Sequence, residues 1–305
     1  MLDFLKKKKL LVTHDGGFHA DDVFACAILQ IYLDQKGEGY DIVRTRDPKI
    51  IERADYVFDV GGIYDAEKNR FDHHQKGRAG ARENGIMYAA AGLVWKHFGE
   101  NLTGSPEAVQ MIDQRIQALD AADNGQDIYK SLIPGVSPYI VPSIVGNFNL
   151  AWNEDGALQM KQFLKMVSWA KEIMGREILH VNVMLESEKD IRRAYEQTAD
   201  KRVIVLDKPY SRYEILRVLV GFPEPIYFVY PKSDDRAWKA EAVRSTFEGF
   251  ESRKPFPEAW RGLRDADFQK ASGVTDAIFS HDGRFYCVAQ TRDGAMALAK
   301  KALES

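Results

Sequence analysis

The fold is decided by the stretch LLVTHDGGFHADD, which covers residues 10–22. Its first four residues are apolar or β-branched, and they form a short run of the kind that fills a buried parallel strand. Two glycines follow, and from residue 20 to Tyr32 apolar side chains recur at helical spacing. A buried strand that turns directly into such a helix predicts a βαβ unit.

The rest of the first half continues this alternation. The patterns predict strands over residues 41–45 and 56–60 and helices over residues 88–98 and 106–119. Strands that alternate with helices form a largely parallel sheet, so the predicted fold class of this half is α/β. In such a sheet a ligand site lies beyond the carboxyl ends of the strands, which is where His14 and Asp59 fall.

The second half is organised differently. After breaker-rich sequence near residues 133–143, the pattern is helical from residue 157 to about residue 198. Strand-like runs and a closing helix then follow, at residues 202–206, 226–230, 237–243 and 293–303. We predict a catalytic domain over residues 1–150, a long helical connector over residues 151–200 and a smaller α+β domain over residues 201–305.

Composition limits the function classes. The chain has 305 residues, of which 45% are hydrophobic and 29% charged, and its formal net charge is −3. A slightly negative net charge argues against a general nucleic-acid coat protein, which would have a broad basic surface. No apolar run approaches the length that spans a bilayer, so no membrane association is expected. Cys26 and Cys287 lie in apolar stretches, which predicts buried thiols and a cytoplasmic location.

Carboxylates and imidazoles are grouped in four short segments near predicted strand or helix ends. The candidate site residues are His14, His19, Asp21, Asp59, Asp72, His73, His74 and Asp123. Hard divalent cations favour carboxylate oxygens, and imidazole suits several first-row metals. Each segment alone has a structural explanation, such as a helix cap, a turn or a surface histidine pair. Their joint occurrence provides enough ligands for two ions and predicts metal-dependent phosphate chemistry.

Three local geometries are expected at these segments. Gly16 and Gly17 would let the backbone fold back so that His14 and His19 converge. On an extended segment His73 and His74 would face opposite ways, so that one binds metal while the other meets substrate. The helix that begins near residue 20 would point its N-terminus at the site, where anions such as phosphate are favoured.

Several stretches, taken in order, carry a resemblance to a known family. They are Thr13–Asp22, Arg44–Pro48, Asp59–Gly62, Tyr64–Asp65, Phe71–Gln75, Asp120–Gly125, Pro257–Asp265 and Ser272–Gly273. In these the chain resembles the DHH phosphoesterase superfamily and, within it, the melanocyte-proliferating-gene exonuclease family. The resemblance spans nearly the whole chain. It implies a two-domain phosphodiesterase with a DHH-type catalytic domain, and an exonuclease activity on RNA ends in the 3′–5′ direction.

The resemblance also implies roles for individual residues. One ion would be held by His14 and His19, a second by Asp21, His73 and Asp123, and both would be bridged by Asp59. The ions would be Mn²⁺ or Mg²⁺, and the imidazoles favour Mn²⁺. His74 would contact the phosphoryl group, and Asp72 would orient an imidazole. Substrate phosphate would be held in the second half by Arg261, Arg264, His281 and Arg292.

Other functions stay open at this point. The same metal site would serve a small-molecule phosphohydrolase acting on pyrophosphate or short oligonucleotides, or a non-catalytic regulatory protein that keeps metal for stability. Arg261 and Arg264 could equally form structural surface pairs. Residues 285–290 depart from the glycine-rich substrate patch that the superfamily often has there. The expected partner is RNA or a short oligonucleotide, and self-association into a homo-oligomer stays open.

Overall fold

The structure is a computed structural model and describes residues 7–233 and 236–305. It divides the chain into two compact units, Met1–Asn182 and Val183–Ser305. The division falls inside one helix, α6, which runs over Gln159–Gln197 and is 39 residues long. The predicted long helical segment is therefore confirmed, and the domain limits expected at residues 150 and 200 stay predictions.

The first unit contains a five-stranded sheet. Its strands are β1 (Lys9–Thr13), β2 (Tyr40–Arg44), β3 (Tyr56–Phe58), β4 (Tyr64–Asp65) and β5 (Arg70–Phe71). They lie in the order β2-β1-β3-β5-β4, and every pairing is parallel except that between β4 and β5. The predicted parallel sheet is confirmed. Because β1, β3 and β5 are neighbours and parallel, the residues that follow Thr13, Phe58 and Phe71 meet at one edge.

Helices cover this sheet and position further side chains at the same edge. They are α1 (Ala20–Gln35), α2 (Pro48–Arg53), α3 (Ala90–Thr103), α4 (Pro106–Asp123) and α5 (Val141–Gly146). In α1 every residue from Ala20 to Gln30 is buried, so the first three turns of the helix lie in the core, and the helix packs against α3 and α4. Ser105 caps α4 by accepting a hydrogen bond from the N–H of Ala108.

The second unit has its own sheet and its own core. Its strands are β6 (Val203–Val205), β7 (Tyr227–Pro231), β8 (Trp238–Ala242), β9 (Ala277–Ser280) and β10 (Tyr286–Ala289), and its other helices are α7 (Arg212–Leu219), α8 (Asp265–Ser272) and α9 (Arg292–Glu304). The strand order is β6-β7-β8-β10-β9, with only β6 and β7 parallel. The predicted α+β organisation of this half is confirmed. Among the helices described, none combines the length and apolar character needed to cross a membrane.

Candidate metal centre

Three adjacent strands and two helices bring the predicted ligands together in the first unit. His14 follows β1, Asp59 follows β3 and His73 follows β5, while α1 begins beside Asp21 and α4 ends at Asp123. The parallel order of the three strands places their carboxyl ends side by side. Residues up to 109 positions apart in the sequence therefore share one site, because the strands end side by side and α1 and α4 carry the remaining ligands.

Asp59 lies at the centre of this arrangement. Its Oδ2 is 3.1 Å from Nε2 of His14, and its Oδ1 is 3.3 Å from Nε2 of His73. Its backbone adopts a left-handed conformation, with φ of 53°, directly after β3 ends. Aspartate tolerates this conformation better than most residues. The turn directs the two oxygens of one buried carboxylate to imidazoles from two different strands.

His73 joins Asp59 to the carboxylates carried by the helices. Its Nε2 lies 3.2 Å from Oδ2 of Asp123 and 3.9 Å from Oδ2 of Asp21. The His73 side chain is almost completely buried, as is that of Asp21. Four of the predicted ligands thus form a compact group in which carboxylate oxygens surround one imidazole nitrogen.

His19 lies on the exposed side of the group and caps helix α1. Its Nδ1 is 3.9 Å from Oδ1 of Asp123, and its ring centroid is 5.9 Å from that of His14. Gly16 has a φ of 85°, which an L side chain rarely adopts, so the turn before His19 depends on glycine. The expected convergence of His14 and His19 is confirmed.

Asp72 fixes, through hydrogen bonds, the turn that leads from strand β5 to His73 and His74. One of its oxygens accepts hydrogen bonds from the N–H groups of His73 at 2.7 Å and His74 at 3.1 Å, and from Nδ1 of His74 at 2.8 Å. The other oxygen accepts from the N–H of Gly62. The expectation that the two histidines face opposite ways is wrong. Their ring centroids are only 4.3 Å apart, because this turn around Asp72 ends the extended conformation at Phe71.

Asp22 belongs to the site and was missed as a site residue by the sequence reasoning. Its Oδ1 accepts from the N–H of His19, as the helix-cap explanation expects, but its buried Oδ2 also lies 3.3 Å from Nε2 of His14. The available signal was the pair of adjacent acids in α1, since a cap needs only one. Arg44 supports the same loop: its guanidinium lies against the rings of Phe18 and Phe163, and it donates to the carbonyl of Gly16.

The electrostatics of the group are those of carboxylates forced together. Burial and the charges of Asp59 and Asp123 raise the pKa of Asp21 well above its ordinary value. Burial, with Asp59 beside it, raises the pKa of Asp22 to about 7 even though His14 opposes the shift. Burial alone would lower the pKa of His73, but its contacts with Asp123 and Asp59 raise it to about 10. Without added positive charge, these acids repel one another.

These residues fit divalent cations. Potential ligand atoms lie within 4.8 Å of one another in three overlapping groups, which are His14, His19 and Asp59; His19, Asp21 and Asp123; and Asp59, Asp72, His73 and His74. Within the described chain, neither buried oxygen of Asp21 accepts a hydrogen bond. A buried carboxylate without partners is costly, and a cation removes that cost. The mixture of oxygen and imidazole donors suits Mn²⁺ and also admits Mg²⁺.

The four predicted phosphate-binding residues all lie in the second unit. Arg261 forms a two-point ion pair with Asp282, with a nitrogen–oxygen distance of 2.9 Å at Nε, and Arg292 lies 3.6 Å from Asp207. Arg264 lies over the ring of Phe279. The ring of His281 lies among those of Phe279, Phe285 and Tyr286. Arg261 therefore forms the kind of surface ion pair that the structural alternative expects. The phosphate-binding role of all four residues stays a prediction.

Comparison with known proteins identifies relatives along the whole chain. A family model named MYG1_exonuc and described as "Uncharacterised protein family (UPF0160)" matches residues 10–303. A MYG1 protein of Caenorhabditis elegans is 31% identical over 97% of this chain and 95% of its own length, and one of Dictyostelium discoideum is 32% identical over 96% of both. The human MYG1 exonuclease is 28% identical, covering 95% of this chain and 85% of its own length. Among solved structures, exonuclease RecJ bound to manganese aligns over 97% of this chain and 89% of its own, with 13% identity and a TM-score of 0.30.

Proposed function

The chain belongs to the MYG1 exonuclease family, and we propose that it is a metal-dependent hydrolase of phosphoester bonds that shortens nucleic acids from an end. The observation that carries the proposal is Asp59, whose two oxygens face imidazoles from different strands inside a cluster of buried carboxylates. One carboxylate in that position can be shared by two cations. A purely structural site needs neither this bridging arrangement nor so many ligands.

In this proposal two cations share the cluster. The first would be held by His14, His19 and Asp59, and the second by Asp21, Asp59, His73 and Asp123. When bound, such ions lower the pKa of a water molecule and neutralise the charge of phosphate oxygens. The buried carboxylates fix the positions of the ions, and the carbonyl of Asp15, 2.9 Å from Nδ1 of His14, orients that imidazole so that its Nε2 faces Asp22 and Asp59.

His74 is the residue proposed to touch the phosphoryl group. Its side chain is 58% exposed, unlike that of the neighbouring His73, and its Nδ1 is held by Asp72. With Nδ1–H donated to that carboxylate, Nε2 is the nitrogen left for the substrate, and the imidazolium form can donate its Nε2–H to a phosphoryl oxygen in the transition state. Asp72 is a positioning residue here, because its contacts are with backbone N–H groups and with His74 itself.

The finer substrate assignment is RNA, digested from the 3′ end. RNA and the 3′ end are proposed from the family resemblance, whereas the exonuclease name of the human, bovine, rat and mouse relatives supports digestion from an end. Arg261, Arg264, His281 and Arg292 are the proposed phosphate contacts of the second unit. A cytoplasmic location is proposed from the two buried free thiols, which a reducing compartment keeps reduced.

One observation favours the small-molecule alternative. A cavity of about 520 Å³ beside His14, Asp59 and His74 is within the range of sites that enclose small ligands. Pyrophosphate or a dinucleotide would enter such a space. Products resolved by length separate the two activities, because an exonuclease releases mononucleotides from long strands whereas this alternative cleaves only short substrates.

The test is an assay of the purified protein on end-labelled RNA and DNA strands with Mn²⁺, Mg²⁺ or a chelator. We expect metal-dependent release of mononucleotides, loss of at least about a hundredfold in rate for Asp59→Ala and His73→Ala, and unchanged rates for the matched control His180→Ala, whose side chain is exposed on α6. Absence of hydrolysis of every phosphoester in every metal would contradict the proposal. Bound metal without turnover would instead assign a regulatory role.

A further inference from the structure

A second cavity in the first unit lies apart from the ligand-lined one and has a different character. Its volume is about 620 Å³, and its walls include Ala122, Ile128, Tyr129, Tyr139 and Pro142. Tyr129 and Tyr139 are 53% and 74% exposed, which is unusual for aromatic rings that face a concave surface. The hydroxyl of Tyr139 accepts a hydrogen bond from Asn147 Nδ2 at 3.2 Å, which holds this ring at the rim.

This cavity, here named the tyrosine cavity, lies next to the metal centre. A smaller space of about 270 Å³ is lined by His19, Asp21 and Asp123, and it shares Leu119, Ala122 and Pro142 with the tyrosine cavity. The shared wall is the last turn of α4, which carries Asp123 itself. The tyrosine cavity and the ligand Asp123 therefore adjoin the same turn of α4, within the first unit.

We propose that the tyrosine cavity binds the base of the nucleotide whose phosphate lies at the metal centre, an inference that rests on the function proposed above. A nucleotide joins a flat aromatic base to a phosphate through one ribose, which is the combination that an apolar chamber beside a cation site accepts. Bases stack on aromatic side chains with little sequence preference. The carboxylate of Asp127, which lines the same cavity, can accept a hydrogen bond from an exocyclic amino group.

The walls of the cavity also indicate why it stays open for a ligand. Gln126 uses its amide on the preceding hairpin, accepting from the N–H of Met87 at 2.8 Å and donating to the carbonyl of Gly85 at 3.0 Å. Arg115, another lining residue, pairs with Glu177 at 2.9 Å. Both side chains therefore already have partners within the protein.

The experiment compares the binding of adenosine 5′-monophosphate and ribose 5-phosphate to the Mn²⁺-loaded protein by equilibrium dialysis. The two probes share the phosphate and the ribose and differ by the base. We expect the nucleotide to bind the unaltered protein about tenfold more tightly. The double variant Tyr129→Ala/Tyr139→Ala should bind both probes equally, and Tyr129→Phe/Tyr139→Phe should keep the preference because the rings remain.

Trp152→Ala is the matched control, since this aromatic side chain is 97% exposed and lines neither cavity. It should leave the base preference unchanged. Equal binding of both probes by the unaltered protein overturns the inference, as does a preference that survives the double alanine variant. A dimer of the unaltered protein that the alanine variant converts to monomers assigns the cavity to a second copy and also overturns it. The RNA assay on the same preparations tests the proposed function separately, because base preference in binding does not require turnover.

Discussion

Arg82 donates to the buried carboxylate of Asp120 at 2.7 Å, three residues before the proposed ligand Asp123 on the same helix. The same guanidinium donates two hydrogen bonds to Asp113, which precedes Asp120 on α4. Asp120 also accepts from the N–H of Gly92 in α3 at 3.0 Å. The end of α4 is therefore held by a buried ion-pair network, and the network makes the stability of the site testable.

Replacing Arg82 should destabilise the first unit strongly. Arg82→Ala leaves the carboxylate of Asp120 buried without its cation, which costs about 3–5 kcal/mol in comparable buried pairs. The matched control is Arg115→Ala, which removes an ion pair with Glu177 whose arginine is 64% exposed and which should change stability by less than about 1 kcal/mol. Urea unfolding followed by circular dichroism measures both. Equal losses for the two variants would contradict the importance of the buried network.

Gly92 should not tolerate alanine. A Cβ at this position would lie 2.7 Å from Cγ of Asp120 and 2.8 Å from a guanidinium nitrogen of Arg82. We expect Gly92→Ala to lower the unfolding midpoint markedly through overpacking, at a cost of about 1–3 kcal/mol. Gly175→Ala on α6 is the control, since its Cβ would meet nothing within 4 Å, and there the loss of helical glycine should stabilise by about 0.5–1 kcal/mol. The measured unfolding midpoint should be lower for Gly92→Ala and higher for Gly175→Ala than for the unaltered protein.

Asp120 also predicts a pH dependence of stability. Burial raises its pKa to about 6, although Arg82 opposes the shift, whereas an aspartate in the unfolded chain has a pKa of about 3.9. Between these values the unfolded chain releases a proton that the folded chain keeps, so this residue's contribution to stability falls as pH rises from about 4 to about 6. The stability of the unaltered protein relative to Asp120→Asn should therefore decline between pH 4 and pH 7. A relative stability that is constant or rises over this interval would refute the prediction.

The cluster of acids should make metal decide whether the unaltered protein or Asp21→Asn is the more stable. In chelator, Asp21→Asn should unfold at a higher temperature than the unaltered protein, because it removes one of several mutually repelling buried carboxylates. With Mn²⁺ the order should reverse, since only the unaltered protein gains the full free energy of binding. Thermal unfolding with and without Mn²⁺ gives the four midpoints. Asp47→Asn, outside the site, should respond to metal as the unaltered protein does.

The two cysteines should be unreactive in the folded protein. Cys26 and Cys287 have fully buried thiols, and burial raises the pKa of both, that of Cys287 to about 12. Because the thiolate is the reactive form, neither should be alkylated at pH 8 within minutes. Denaturant should expose two thiols per chain, counted by mass spectrometry. Rapid labelling of either cysteine before unfolding would contradict its placement in the core.

Elements with their own apolar pattern could be predicted from sequence, and the two-residue strands could not. Strand β1 and helices α1 and α4 lie where their apolar spacing indicated, although α1 extends to Gln35 and α4 to Asp123. Strands β4 and β5 have two residues each and exist because they pair with each other and with β3. No local pattern encodes such pairing, since the partners come from elsewhere in the chain.

The site shows the same limit at the level of single residues. The convergence of His14 and His19 follows from a glycine turn that is visible in the sequence. The common direction of His73 and His74 does not, because it depends on which N–H groups the carboxylate of Asp72 accepts from after folding. Asp22 is absent from the predicted ligands, because its second oxygen becomes part of the site only through burial against His14.

The left-handed backbone at Asp59 restricts what a substitution scan can return at that position. Asparagine and glycine accept such a φ with little strain, whereas other side chains oppose it. Of the residues the backbone accepts readily, aspartate alone offers two charged oxygens. A complete scan should therefore sort into two tiers, with Asn and Gly giving folded chains that bind no metal and the remaining residues giving chains impaired in both respects. Local conformation and the proposed metal chemistry therefore favour the same amino acid at this position.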